Sequence, residues 1–243
     1  MRHHVVCPAL LGLMLVWSTP ARAAKPAPEI HPIDPSQVRT IGVETRRTTG
    51  AGSCTIGAQG PPVFAVNYLL PPNDSYYTLL RCEQCPPPDS TSFADVHVAM
   101  RFPSPCAQPI EISVVGAAGD TSCREPDTLA ILSAPEPFAL SAASAGDYDF
   151  VLHLSHPALF AGEAFLRVNF TVAAEACSSL AERPQLLTNS DCAPCRSWNV
   201  SAAGKQDLCA VLFPGQPVMY AIASTCLVPV RARSWGAVKL RYR

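Results

Sequence analysis

The most reactive pattern in the sequence is a pair of Cys-x-x-Cys spacings, Cys82 with Cys85 and Cys192 with Cys195. This spacing supports thiol redox chemistry when the first thiol begins a helix, because the helix dipole stabilises the thiolate. Cys85 runs into three consecutive prolines, so we expect no helix there. Zinc would need four free thiolates from two distant pairs in an oxidising compartment. We therefore interpret these cysteines as structural disulfide residues, with redox chemistry and zinc binding as the alternatives.

Two carboxylates form the second candidate group. Asp147 and Asp149 flank Tyr148 and could supply oxygen ligands to a calcium ion. Strand alternation instead places both aspartates on one face and Tyr148 on the other, at a turn where Asp is common. No further ligand spacing follows, so the sequence predicts turn residues and no metal site.

Three histidines could act as general bases. His153 and His156 enclose Ser155, and His97 lies in an alternating strand. The sequence contains neither G-x-S-x-G nor H-E-x-x-H, so we predict surface or core histidines. Catalytic triads also assemble from residues scattered along a chain, which leaves a hydrolase as the alternative.

A basic segment at the C-terminus has the pattern of a binding surface. Its five cations alternate with apolar residues around a Ser-Trp-Gly-Ala turn, and they are Arg231, Arg233, Lys239, Arg241 and Arg243. A hairpin here would present all five on one face, where a sulfated glycan, an anionic headgroup or an acidic protein could bind. The alternative is a solvated face that protects an edge strand from aggregation.

Three asparagines, Asn73, Asn169 and Asn199, begin N-x-Ser/Thr sequons. This pattern predicts N-glycosylation if the chain passes through a eukaryotic secretory pathway, with chance occurrence as the alternative.

The N-terminus predicts export. Residues 1–23 combine a basic start, an apolar run of about a dozen residues and a small-x-small ending, which is the layout of a signal peptide cleaved after Ala23. The expected mature chain carries 16 basic and 19 acidic side chains, a balance that argues against a general nucleic-acid binder. No later apolar stretch is long enough to predict a membrane span.

Ten cysteines remain after that cleavage, and an oxidising compartment should pair them. Five precede a long gap and five follow it; they are Cys54, Cys82, Cys85, Cys106 and Cys123, then Cys177, Cys192, Cys195, Cys209 and Cys226. If all ten pair within one chain, parity requires at least one bridge across the gap.

We expect short strands to position all of these candidate residues. The reason is that short apolar runs in the sequence alternate with clusters of Pro, Gly, Asp and Ser. The sequence predicts a mostly β protein of one or two disulfide-stapled antiparallel β-sandwich domains. After a Pro-rich leader at 24–37, we expect a five-cysteine β-sandwich at 38–175 and a smaller Cys-rich domain at 176–243. A weak alignment of residues 127–144 with residues 207–224 suggests a repeated module.

The clearest strand is predicted at 164–172. Ala164, Leu166, Val168 and Phe170 alternate with Arg167 and Asn169, so one face should be core and the other solvated. The Asn169 sequon would then face solvent.

One segment resembles a known family. Residues 137–154, PFALSAASAGDYDFVLHL, resemble the terminal hairpin of pre-peptidase C-terminal β-sandwich modules over about twenty residues. The resemblance implies a jelly-roll-like appendage of a secreted or membrane-bound protein that binds rather than catalyses.

The resulting functional hypothesis is a secreted, non-enzymatic binding or structural module without a cofactor. We expect its partner to be an extracellular protein, a glycan or an anionic surface. We expect neither nucleic-acid binding nor a membrane-spanning segment. The alternative is a secreted enzyme, either a hydrolase with dispersed catalytic residues or a thiol oxidoreductase that uses one Cys-x-x-Cys pair.

Overall fold

The computed structural model describes residues 27–42, 54–69, 72–84, 90–171, 177, 179 and 181–224. Strands dominate these ranges, and short 3₁₀ turns occur at Pro35–Gln37 and Cys82–Gln84, so the predicted mostly β class is confirmed. The strands are β1 (Glu29–Pro32), β2 (Arg39–Ile41), β3 (Cys54–Ala58), β4 (Phe64–Asn67), β5 (Asp74–Arg81), β6 (Ser90–Phe102), β7 (Cys106–Ala118), β8 (Glu125–Ala142), β9 (Gly146–Ala161), β10 (Glu163–Phe170), β11 (Gln185–Thr188), β12 (Ser197–Ser201), β13 (Gly204–Asp207) and β14 (Met219–Ser224).

The strands form two sheets that pack as a sandwich. The first sheet has the order β1-β4-β11-β6-β14-β3, with β9 on the other side of β6 and β2 beside β9. The second sheet has the order β13-β12-β5-β10-β7-β8. Pairing is antiparallel among the described strands except where β2 joins β9 in parallel, which the sequence prediction did not include.

The main core lies between the two sheets. Its largest fully buried side chains are aromatic and branched, and they include Tyr76, Phe93, Phe102, Phe170 and Ile112. Edge-to-face contacts such as Tyr76 on Phe170, with ring centroids 5.8 Å apart, connect strands within this layer.

The second sheet also buries residues on its outer face. The prediction that one face of β10 is solvated is wrong, since Phe165 is fully buried there with Tyr77, Leu79 and Val115. The physical reason is that the sheet curls until its two edges meet. Lys205 on β13 donates to the Glu125 carboxylate at the start of β8, over 3.1 Å.

A disulfide links the two edges of the curled second sheet. Cys123 in the β7–β8 connection is bonded to Cys195, which lies two residues before β12. Two bridges, Cys106–Cys177 and Cys123–Cys195, cross the gap in the cysteine pattern, as parity requires. A further bridge, Cys192–Cys209, joins the β11–β12 connection to the turn after β13.

Strands from both sides of residue 176 share the same two sheets. In the first sheet β11 lies between β4 and β6, and in the second sheet β12 pairs with β5. Described residues after 176 therefore form no sheet of their own.

The two segments aligned as a repeat differ in structure, because β8 is one long strand whereas turns occupy residues 208–212. Within the described ranges, the chain has no helix of the length and apolarity needed to cross a membrane.

Candidate functional site

The outer face of the first sheet carries three cross-strand pairs between β6 and β9. Alternation along each strand brings six polar side chains to this face, and we call Asp95, His97, Arg101, Asp147, Asp149 and His153 the charged ladder. Arg101 forms a bidentate pair with Asp147, at 2.7 and 2.9 Å. His153 Nδ1 lies 2.8 Å from Asp95 Oδ1. The ladder fixes the register of the two longest-paired strands of this sheet.

Tyr220, on the neighbouring strand β14, contacts both residues of the central pair of the ladder. His97 Nδ1 lies 2.9 Å from Asp149 Oδ2, and the Tyr220 hydroxyl donates to the same oxygen over 3.3 Å. The Tyr220 ring stacks on the His97 imidazole, with centroids 4.3 Å apart and planes 11° apart. Two contacts therefore fix the Tyr220 phenol, one through its ring and one through its hydroxyl.

Beside this cluster is an open groove with a volume of about 370 Å³. Its polar lining comes from four strands or their ends, and consists of Thr40, Thr55, Gln59, Asp149 and Tyr220. Its apolar lining includes Val38, Pro62, Ala99, Val218 and Ile222. Asp149 is the one acidic side chain among these described lining residues, and none of them is basic.

The N-terminal segment forms one wall of the groove. Asp34 accepts a hydrogen bond from the Ser36 backbone nitrogen and caps the 3₁₀ turn that directs the chain back over the sheet. Val38 then packs against Ala99 and Val218 in a small apolar cluster on the outer face. The small side chain of Ala99, on β6 directly opposite Asp149, leaves room above the sheet.

The candidate metal-binding and catalytic residues from the sequence lie either in the core or on this outer face. Tyr148 points into the core while Asp147 and Asp149 face outward, as strand alternation predicts. The carboxylates pair with Arg101 and with His97 and Tyr220, and no cluster of three potential metal ligands occurs in the described part of the chain. His97 and Asp149 have the geometry of two members of a triad, but the His97 side chain is only 2% exposed.

Seven cysteines of the described ranges are disulfide-bonded and serve the framework. Cys192 and Cys195 bond to Cys209 and Cys123 rather than to each other, so the disulfide interpretation of this Cys-x-x-Cys pair is confirmed. Cys54 is also disulfide-bonded. The Cys82 sulfur is buried, 3.9 Å from the Phe160 carbonyl oxygen.

Two of the three sequon asparagines are buried, which contradicts the expectation that Asn169 faces solvent. Asn169 is 4% exposed; its Nδ2 donates to Glu111 over 3.0 Å and its Oδ1 accepts from the Ser75 hydroxyl. Asn199 is fully buried, and its Nδ2 donates to Asp74 over 2.6 Å. Asn169 lies on the outer face of the second sheet between Ser75 and Glu111, while Asn199 lies on the inner face, where it contacts Asp74.

Several predictions lie outside the described residues. These are the signal peptide at 1–23, Cys85 and Cys226, and the basic segment with Arg231, Arg233, Lys239, Arg241 and Arg243. The first part of the Pro-rich leader, residues 24–26, is also outside.

Sequence reasoning missed the groove itself. Alternation along β9 was enough to place Asp147 and Asp149 on one face, but their pairing with Arg101 and His97 depends on the β6–β9 register. No local sequence pattern identifies Tyr220, Thr55 or Gln59 as site residues, because their position beside Asp149 depends on pairings between distant strands.

No protein-family model matches the sequence, and no curated protein matches it. The solved structures similar to the chain include two of the same bacterial protein. One contains the cysteine protease and lectin-like domains of Cwp84, a surface layer associated protein of Clostridium difficile, at 10% identity and a TM-score of 0.49, covering 73% of this chain and 37% of that one. The other is the clostridial cysteine protease Cwp84 after propeptide cleavage, at 12% identity and a TM-score of 0.42, covering 64% of this chain and 37% of that one. The chain thus spans little more than a third of each.

Proposed function

We propose that this chain is a secreted, non-enzymatic binding module whose ligand surface is the groove beside Tyr220. The ligand that fits this surface best is an uncharged, hydroxyl-rich molecule, of which an extracellular saccharide is the main class. The observation that carries the proposal is the groove's lining, which combines hydroxyl, amide and carboxylate groups with apolar side chains.

A saccharide presents two kinds of surface, hydroxyl groups that donate and accept hydrogen bonds and C–H faces that pack on apolar side chains. The groove offers matching groups of both kinds: the hydroxyls of Thr40 and Thr55, the amide of Gln59, and the apolar surfaces of Val218 and Ile222. Its volume of about 370 Å³ lies within the range of small-molecule sites. The absence of a basic side chain among the described lining residues disfavours an anionic ligand.

The fixed orientation of Tyr220 supports a binding role. His97 and Asp149 hold Tyr220 in one orientation before any ligand arrives, so little conformational entropy is lost on binding. Secretion is supported by the three disulfides within the described ranges, since such bridges persist in oxidising compartments.

A glycan array that includes neutral and sulfated saccharides tests this proposal. We expect the purified protein to bind neutral saccharides, and Gln59→Ala to weaken that binding about fivefold, the equivalent of one hydrogen bond of about 1 kcal/mol. Gln37→Ala is the matched control, because Gln37 is also an exposed amide but lies outside the groove. Equal binding by the two variants, or no binding to neutral saccharides, would overturn the proposal.

Other outcomes identify the alternatives. Binding confined to sulfated saccharides and lost with Arg231→Ala and Arg233→Ala would assign binding to the basic C-terminal segment. Turnover in a broad screen of ester, peptide and glycoside substrates, abolished by Asp149→Asn, would replace the binding module with the dispersed-residue hydrolase.

A further inference from the structure

The three sequons occupy very different environments in the folded chain. Asn169 and Asn199 are buried, and in each the Nδ2 atom that a glycan would occupy donates to a carboxylate, at Glu111 and Asp74 respectively. Asn73 is exposed, in a bend immediately before β5. Its backbone nitrogen donates to the Phe170 carbonyl oxygen over 2.9 Å, which anchors the main chain and leaves the side chain outside the sheet.

We propose that Asn73 is the single N-glycan acceptor among the three sequons when the chain passes through a eukaryotic secretory pathway. In the transfer, the Asn73 amide nitrogen forms a bond to the anomeric carbon of a lipid-linked oligosaccharide. The bond from that carbon to the lipid diphosphate breaks, and the diphosphate leaves with the bonding electrons while the amide loses one proton to the transferase.

The structure explains the selectivity through folding. A glycan on Asn169 would have to occupy space where the outer face of the second sheet is covered, and one on Asn199 would have to lie in the main core. A chain modified at either position cannot reach this fold and is removed before secretion. A glycan on Asn73 extends into solvent, so a chain modified there folds and is secreted.

The backbone at Asn73 suggests the variant to use. Its φ angle of 67° lies in the left-handed region, which Gln adopts poorly and Gly adopts without strain. Asn73→Gly therefore removes the acceptor and preserves the turn.

Matched controls remove the other two sequons without touching the buried asparagines. Thr171→Val loses one hydroxyl bond, to the Pro109 carbonyl oxygen, and Ser201→Ala loses one acceptor, for the Ala203 backbone nitrogen. Asn169 and Asn199 retain their partners in these variants.

The experiment measures intact mass of the full chain secreted from cultured eukaryotic cells, before and after glycosidase treatment. We expect the parent protein, Thr171→Val and Ser201→Ala each to lose the mass of one glycan on treatment, and Asn73→Gly to lose none. An unglycosylated parent, a parent with more than one glycan, glycan mass on Asn73→Gly, or a control variant that carries no glycan would overturn the proposal.

Discussion

The indole nitrogen of Trp198 donates a 3.0 Å hydrogen bond to the carbonyl oxygen of Arg124. Trp198 lies on β12 near one edge of the second sheet, and Arg124 directly precedes β8 at the other edge. With the Lys205–Glu125 pair and the Cys123–Cys195 bridge, this bond turns an open sheet into a nearly closed one. This closure of the sheet explains why Phe165, Tyr77 and Val115 are buried, although they lie on a face that a simple sandwich exposes to solvent.

Trp198→Phe should destabilise the protein by about 1 kcal/mol, because it removes one neutral hydrogen bond and leaves a backbone carbonyl without its donor. The free energy of unfolding from urea titration, followed by far-UV circular dichroism, measures the loss. Trp198→Ala serves for comparison, since it also removes the packing of the ring on the outer cluster and should cost more. A Phe variant as stable as the parent would show that the bond does not hold the edges together.

The disulfide pattern predicts specific peptides in a non-reducing digest. Cys192 should be linked to Cys209, and Cys195 to Cys123, because these are the bonded sulfurs in the fold. Mass spectrometry of the digest, repeated after reduction as the control, checks the assignment. A peptide containing an internal Cys192–Cys195 bridge would contradict it and reopen the redox interpretation.

Two glycines with similar backbone angles should respond differently to alanine. Gly57 has a φ of 107°, and a Cβ there would meet the Met219 carbonyl oxygen at 2.9 Å. Gly204 has a φ of 116° with nothing within 4 Å of a Cβ. Gly204→Ala should cost only the conformational strain, about 1 kcal/mol, and Gly57→Ala distinctly more because the β3–β14 pairing must shift as well.

Thermal and urea unfolding of the two variants measures the difference. Since Gly57 pairs with Tyr220 in the sheet, Gly57→Ala should also weaken saccharide binding while Gly204→Ala leaves it unchanged. Equal stability of the two variants would argue against the close β3–β14 contact.

Stability should decline in alkaline solution because buried tyrosines resist ionisation. Burial, followed by the negative charge of Asp74, raises the pKa of Tyr76 well above its usual value of 10, and burial also raises the pKa of Tyr68 and Tyr77. The unfolded chain releases these protons above about pH 10 while the folded chain retains them. The stability from these groups is therefore complete below pH 10 and is lost as the pH rises above it.

Urea titrations between pH 8 and pH 11, with tyrosinate absorbance recorded in parallel, test this expectation. Tyr76→Phe should flatten the alkaline slope, although the loss of its bonds to the Tyr68 carbonyl oxygen and to Asp74 lowers stability at neutral pH. Tyrosines that all titrate near pH 10 in the folded protein would contradict the buried position of Tyr76.

Sequence reasoning succeeded where a property depends on neighbouring residues. Alternation along one strand placed Asp147 and Asp149 opposite Tyr148 and defined the inward face of β10. Parity alone required a bridge across the cysteine gap. These inferences need only the period of a strand or a count of residues.

It failed where a property depends on which distant strands meet. Asn169 follows a regular alternation and looks solvent-facing, yet the curl of its sheet buries it. The contact between Trp198 and Arg124 joins residues 74 positions apart, and no local pattern indicates that two sheet edges meet. The groove is likewise created by pairings such as Thr40 with Asp149, which place a short N-terminal strand beside β9.

The pairing of β3 with β14 has a consequence for how the chain is made. Ile56 on β3 lies opposite Ala221, and β3 is an end strand of its sheet with β14 as its neighbour. During synthesis β3 emerges early and must wait for residues 219–224 before its backbone groups find their partners in β14. Closing so long a loop is slow, and the waiting strand is an exposed template for aggregation. A chain interrupted before residue 219 would leave β3 without this neighbouring strand and prone to aggregation, so the pairing of β14 with β3 is a late and vulnerable step of folding.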